Sequence, residues 1–86
     1  MICKNRRCEL EIINDLLILA KDDINKTRLM YQTNLSYNHF MRYMDFLLDN
    51  GFLGEKPGNP VGKVYFVTEK GERFIEEFKN VLALME

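Results

Sequence analysis

From Ser36 to Gly51 the sequence reads as one helix, punctuated at both ends, with one greasy side and one polar side. Ser36 is a natural N-cap, because its hydroxyl can accept from an orphan backbone N–H of the first turn. Gly51 suits the left-handed position just past the last turn. Phe40, Met41, Met44, Leu47 and Leu48 recur at the three- and four-residue spacing that places them on one side, and that side has to be buried. Asn38, His39 and Arg42 fall off this stripe near the helix start, where they can reach a partner. A helix of this kind needs other elements to cover its apolar face. The reading that follows is a recognition helix, with the rest of the chain built as its support.

The chain has 86 residues, a size at which folding removes roughly 60–65% of the unfolded surface from water. That is room for one core, so residues 1–86 are expected to form a single domain. With 47% apolar residues the chain is too hydrophobic for disorder. No apolar run approaches the ~20 residues of a bilayer span, so no membrane partner is predicted. The basic start, Met1 to Arg7, runs into Glu9, Glu11 and Asp15 rather than into an apolar leader segment, which implies a soluble protein that is cytoplasmic or of a virion or host-cell interior. Cys3 and Cys8 are too few and too local for a disulfide framework or a zinc site. Both read as thiols, with Cys8 a small buried group, and no metal or cofactor is predicted.

Taken in order, Cys8 to Lys21 presents Ile12, Ile13, Leu16, Leu17, Leu19 and Ala20 as a wide helical stripe opposite Glu9, Glu11, Asn14 and Asp15. Asp22 to Asn25 is a break, and Asn25 can cap a second helix running through about Thr33. Leu29 and Met30 point that helix at the core, with Tyr31 as a possible addition. Asn34-Leu35 makes a tight connection into the Ser36 helix, Asn tolerating the left-handed backbone such turns need. Two helices joined by so short a turn make a helix-turn-helix. Next, Phe52–Lys56 and Lys63–Thr68 flank the turn-rich Pro57–Gly62, which reads as a two-stranded β-hairpin with both prolines in its tip. A last helix starts from Thr68 as N-cap. Phe74, Phe78, Val81 and Met85, with Ile75, Leu82 and Leu84 beside them, give it more apolar surface than a terminal helix needs for its own core, and the excess predicts a homodimer. The fold class is therefore α+β, mainly helical, in the order α-α-α-β-β-α.

The net charge of −1 hides a segregation. Residues 1–7 carry Lys4, Arg6 and Arg7 with no acid, and residues 25–44 carry Lys26, Arg28 and Arg42 with no acid, while the remainder is acidic. A positive footprint on one face is what binding through phosphates requires. Lys26, Arg28, Lys56 and Lys63 are candidates for sequence-independent affinity. Arg42 can pair with guanine and Asn38 with adenine. Nothing resembles an enzyme: there is one His, no phosphate-binding glycine loop and no nucleophile–base pattern. So small a core also leaves little room for an effector pocket, and no small-molecule ligand is predicted.

Together with the element order, Lys26–Tyr31, Asn34–Tyr37, Tyr43–Leu48, Gly51–Leu53 and Tyr65–Gly71 resemble the winged helix-turn-helix family, and within it small archaeal dimeric winged-helix DNA-binding proteins. The resemblance implies a transcriptional regulator that binds double-stranded DNA as a homodimer. It implies base-edge or nearby contacts from Tyr37, Asn38, His39 and Arg42, and backbone contacts from Thr27, Arg28, Ser36 and Lys63. The hairpin would be a wing on the backbone, and the helix over residues 69–86 would pair two subunits through Phe74, Phe78, Val81, Leu82 and Met85. Phe66 departs from the family, standing at a strand position that is usually polar. The last helix is short for a long coiled coil, which points to a compact helix pair aided by the basic N-terminal segment. The rival reading is a winged-helix protein-interaction module that does not bind DNA.

Overall fold

The computed structural model describes residues 9–58 and 62–85. Cys3, Cys8 and the basic residues of the N-terminal segment lie outside them. Four helices, α1 (Glu9–Leu19), α2 (Lys26–Thr33), α3 (Tyr37–Asp49) and α4 (Glu69–Leu84), accompany three short strands, β1 (Ile24–Asn25), β2 (Leu53–Pro57) and β3 (Lys63–Val67). Their ends follow from local chemistry. Asn25 Oδ1 accepts from the Arg28 N–H at 2.8 Å to open α2, and Asn34 closes it in the left-handed region at φ 56°. Ser36 Oγ accepts from the His39 N–H to open α3. Gly51, at φ 76°, then turns the chain out of α3 into the hairpin.

Leu16, Leu17, Leu29, Phe40, Met44 and Leu47 are fully buried, and Ile12, Ile13, Ala20, Ile24, Leu53 and Tyr65 complete the core between the first three helices and the sheet. The apolar stripe of α3 is therefore its buried side, with Met41 and Leu48 half-buried at the stripe's edge. Thr33, a buried polar residue, spends its hydroxyl on the carbonyls of Leu29 and Met30, at 3.0 Å each. Tyr31 does not join the core: it is 85% exposed. It stands two positions after Leu29, about 200° around a helix, so once Leu29 is buried Tyr31 faces away.

The hairpin also differs from the expected two-stranded form. β1, read in the sequence as part of a break, pairs antiparallel with β3 (Ile24 with Tyr65, Asn25 with Val64) and gives a sheet of order β1-β3-β2. Two residues are too few to show strand periodicity; their pairing with β3 and the burial of Ile24 hold them there. Pro57 is not in the tip but ends β2 opposite Lys63, a terminal strand position where the missing N–H is tolerated. Gly54 lies under the Phe66 ring, which occupies the space a Cβ would need. The aromatic side chain at this unusual strand position covers the glycine opposite it.

The segment Thr68-Glu69-Lys70-Gly71 locks α4 to the end of α3. The Thr68 hydroxyl lies 2.6 Å from the Gly51 carbonyl and 3.0 Å from that of Phe52, and its oxygen accepts from the Gly71 N–H at 3.1 Å. Lys70 Nζ donates to the Asn50 carbonyl at 2.7 Å, a cation at the negative end of α3, and lies 4.8 Å from the Phe52 ring centroid. Beyond it, Phe46, Phe52, Phe74 and Phe78 form a ladder with successive centroid distances of 6.3, 5.7 and 5.9 Å. The ladder draws Phe78 into the chain's own packing, where it is buried. That corrects its expected place on a face open to a partner.

Candidate nucleic-acid interface

Across the helix-turn-helix a side chain links the start of α2 to the start of α3. Lys26 Nζ, at the start of α2, lies 5.5 Å from the centroid of the Tyr37 ring at the start of α3. Neither helix has an acidic residue in its first turn, whereas α1 carries Glu9 and Glu11 there and α4 carries Glu69 and Glu72. Acids in a first turn neutralise the positive end of a helix dipole. Their absence from α2 and α3 leaves both dipole ends and their free N–H groups open to an anion. Thr27, Arg28, Ser36, Tyr37, Asn38, His39 and Arg42 are all exposed around these ends, and Lys26 is half-buried against Tyr37. Ser36 Oγ lies 3.1 Å from His39 Nδ1, so His39 is partly occupied in holding the cap. Arg42 has no ion pair among the described residues.

Farther along, the side of α3 opposite Phe40 and Leu47 presents Asn38, Arg42, Asp45 and Asp49, all exposed. Charge changes sign along this stripe, from the positive N-terminal half to a C-terminal half with two carboxylates and no basic residue in the last turn.

The wing lysines are not free, as the sequence had suggested. Lys56 Nζ pairs with Asp23 Oδ2 at 2.5 Å and lies over the Phe66 ring at 5.5 Å, and Lys63 Nζ is 3.6 Å from Glu55 Oε1. These side chains are about half exposed, and pairs in that setting contribute only ~0–1 kcal/mol, so a phosphate can displace either carboxylate. Between α2, α3 and the inner face of the wing runs an open groove of about 970 Å³. Its walls include Arg28, Tyr31, Met41, Asp45, Lys63 and Tyr65. Tyr31 and Asp45 are the residues of this surface that sequence reasoning missed. For Tyr31 the signal was its offset from Leu29; for Asp45 it was its place three residues beyond Arg42 on the same stripe.

Tyr65 closes the bottom of the groove. Burial pushes its phenol above the usual 10.0, and the nearby carboxylates of Glu55 and Asp45 add to the shift. The folded chain thus keeps this proton at pH values where the unfolded chain has lost it. Stability falls as pH rises past about 10, because there the unfolded state binds fewer protons. Tyr65→Phe should shrink the loss of stability between pH 8 and about pH 11, measured by urea unfolding at both; an unchanged difference would show that Tyr65 does not set it.

A helix-turn-helix whose second helix is backed by a core and followed by a hairpin wing defines a winged-helix protein. The chain belongs to the winged helix-turn-helix family, whose model matches residues 6–86. It is similar to two uncharacterized proteins of Methanocaldococcus jannaschii. One is 30% identical over 81 residues, covering 93% of this chain and 78% of that protein. The other is 35% identical over 81 residues but is much longer, and this chain spans 36% of its length. Among solved structures, Sso10a-2, a DNA-binding protein from Sulfolobus solfataricus, superposes with a TM-score of 0.78 at 28% identity, covering 92% of this chain and 82% of that one. A winged-helix DNA-binding protein from STIV gives a TM-score of 0.72 at 29% identity, covering 92% and 91%. No helix among the described residues is long and apolar enough to cross a membrane.

Proposed function

We propose that this chain binds duplex DNA as a homodimer and acts as a transcriptional regulator, with α3 in the major groove and the wing on the backbone. The observation that carries the reading is the juxtaposition of two acid-free helix N-termini inside a ring of exposed hydrogen-bonding and cationic side chains. Lys26, Thr27, Arg28 and Ser36 are suited to phosphates, and Tyr37, Asn38, His39 and Arg42 to base edges or the adjoining backbone. Lys56 and Lys63 join when phosphate replaces Asp23 and Glu55. The DNA-binding descriptions of the two structural neighbours support the same partner.

The dimer rests on α4. Its apolar side packs on the chain's own core through Phe74, Ile75 and Phe78. The same side then continues into Val81, Leu82 and Met85, which are 42%, 37% and 46% exposed. These three form the contact, with Phe74 at its inner edge. Residues 69–86 thus serve as both support and dimerisation helix in a single domain spanning the chain.

A protein-interaction module is the second reading, favoured by the carboxylates of Asp45, Asp49 and Glu55 on or beside the same surface. Titration with duplex DNA over a salt series separates the two. Binding should weaken steadily with salt as counterions are released. Arg42→Ala should lose about 1–3 kcal/mol on preferred sequences and little on others. No binding to any duplex at about 50 mM salt would leave the interaction module as the better account.

A further inference from the structure

We propose that Asp45 is a specificity-determining residue of the α3 surface, accepting a hydrogen bond from the exocyclic amino group of a cytosine beside the base that Arg42 reads. The inference rests on the DNA-binding reading and deepens it. Asp45 is exposed, on the same outward stripe as Asn38 and Arg42, three residues beyond Arg42. Residues three apart on a helix are surface neighbours. They rise about 4.5 Å along its axis, comparable to the ~3.4 Å between stacked base pairs. Arg42 and Asp45 could have neutralised each other, yet no ion pair joins them among the described residues. The surface therefore presents a planar cation and a carboxylate side by side, with both sets of hydrogen-bonding atoms available.

In the major groove a carboxylate has one good complement. Guanine offers two acceptors and thymine one, all of which repel it; cytosine N4 offers a donor with no acceptor beside it, and adenine sets its N6 donor next to the N7 acceptor. A negative charge in a groove lined by phosphates is unfavourable unless it meets such a donor. Asp45 therefore selects by rejecting as well as by attracting. The guanidinium of Arg42 complements guanine in the same way, so the pair reads the two edges of a G·C-containing step. Asp49 is the natural contrast. It lies one turn farther on, at the end of α3, and recognition helices reach base edges with their N-terminal part. Its charge meets the backbone and opposes binding of every sequence alike.

The test is selection from a random duplex pool by the full chain and by its Asp45→Ala and Asp49→Ala variants, followed by titration of the selected and scrambled duplexes. The wild type should prefer cytosine at one position of each half-site by roughly ten- to a hundredfold. Asp45→Ala should lose the preference at that position alone, and Asp49→Ala should keep it while binding all duplexes somewhat more tightly. If Asp45→Ala keeps the wild-type profile and only gains affinity, as Asp49→Ala does, Asp45 is merely a repulsive charge and the proposal falls. A wild type that selects sequences without any cytosine preference overturns it while leaving DNA binding intact. A wild type that binds no duplex removes both readings.

Discussion

Gly71→Ala should destabilise the chain by about 2 kcal/mol, although helix propensity alone predicts a gain of ~1 kcal/mol for the same change. Gly71 is buried in the first turn of α4. A Cβ built there lies 2.3 Å from the Phe52 carbonyl oxygen and 2.6 Å from Val67 Cγ2. The nearest atom belongs to backbone, and it is not free to withdraw. The Phe52 carbonyl accepts from the Thr68 N–H at 3.1 Å and lies 3.0 Å from the Thr68 hydroxyl. To make room, α4 has to lift off the end of α3, which loosens the Phe52–Phe74 ring contact and the Lys70–Asn50 hydrogen bond together. A domain of this size has only about 4–13 kcal/mol of stability, so the loss should be plain in urea unfolding. A midpoint equal to or above that of the wild type would show that the close approach yields easily. Gly54→Ala makes a control, because its added methyl meets only the far end of the Phe66 side chain, which can swing aside.

The second large effect concerns assembly. Leu82→Glu should convert a dimer into a monomer and weaken DNA binding by about a hundredfold or more, because a second half-site engaged through a dimer adds its affinity at high effective concentration. Leu82 is 37% exposed between Val81 and Met85 on the side of α4 that continues from Phe78. A carboxylate there remains solvated in the monomer, so folding should be little affected. In a dimer it would be buried without a partner. Sedimentation at micromolar concentration should give twice 10.2 kDa for the wild type and the single mass for the variant. A wild-type monomer would remove the dimer, and a variant that stays dimeric would move the contact elsewhere. Leu84→Glu should leave the mass unchanged, since Leu84 is 85% exposed and lies away from that side.

The two substitutions bracket the role of α4. Its first turns are committed to the chain's own fold by the Thr68, Lys70 and Gly71 contacts with the end of α3. Its last stretch instead leaves Val81, Leu82 and Met85 exposed. The aromatic ladder makes the transition, and its final ring, Phe78, is where the sequence pattern misled. Phe74, Phe78, Val81 and Met85 share one periodicity. Periodicity reports which residues share a side, not which body covers that side at each turn.

What the sequence determined by itself is the set of features whose causes lie within a few residues. Asn25, Ser36 and Thr68 cap helices because a side-chain oxygen reaches an N–H three residues on, and Asn34 and Gly51 end or follow helices because their backbones tolerate positive φ. The buried side of α3 and the order of the main elements are legible for the same reason. Tertiary structure decided whatever depends on residues far apart in the chain meeting. It made Ile24–Asn25 a strand, because β3 supplies the pairing that two residues cannot signal. It turned Lys56 and Lys63 from free cations into partners of Asp23 and Glu55, and it faced Tyr31 into the groove and Phe78 into the core. It also brought Lys63 and Tyr65 of β3 up to α3, so that Asp45 lines a groove whose other wall comes from a distant part of the chain.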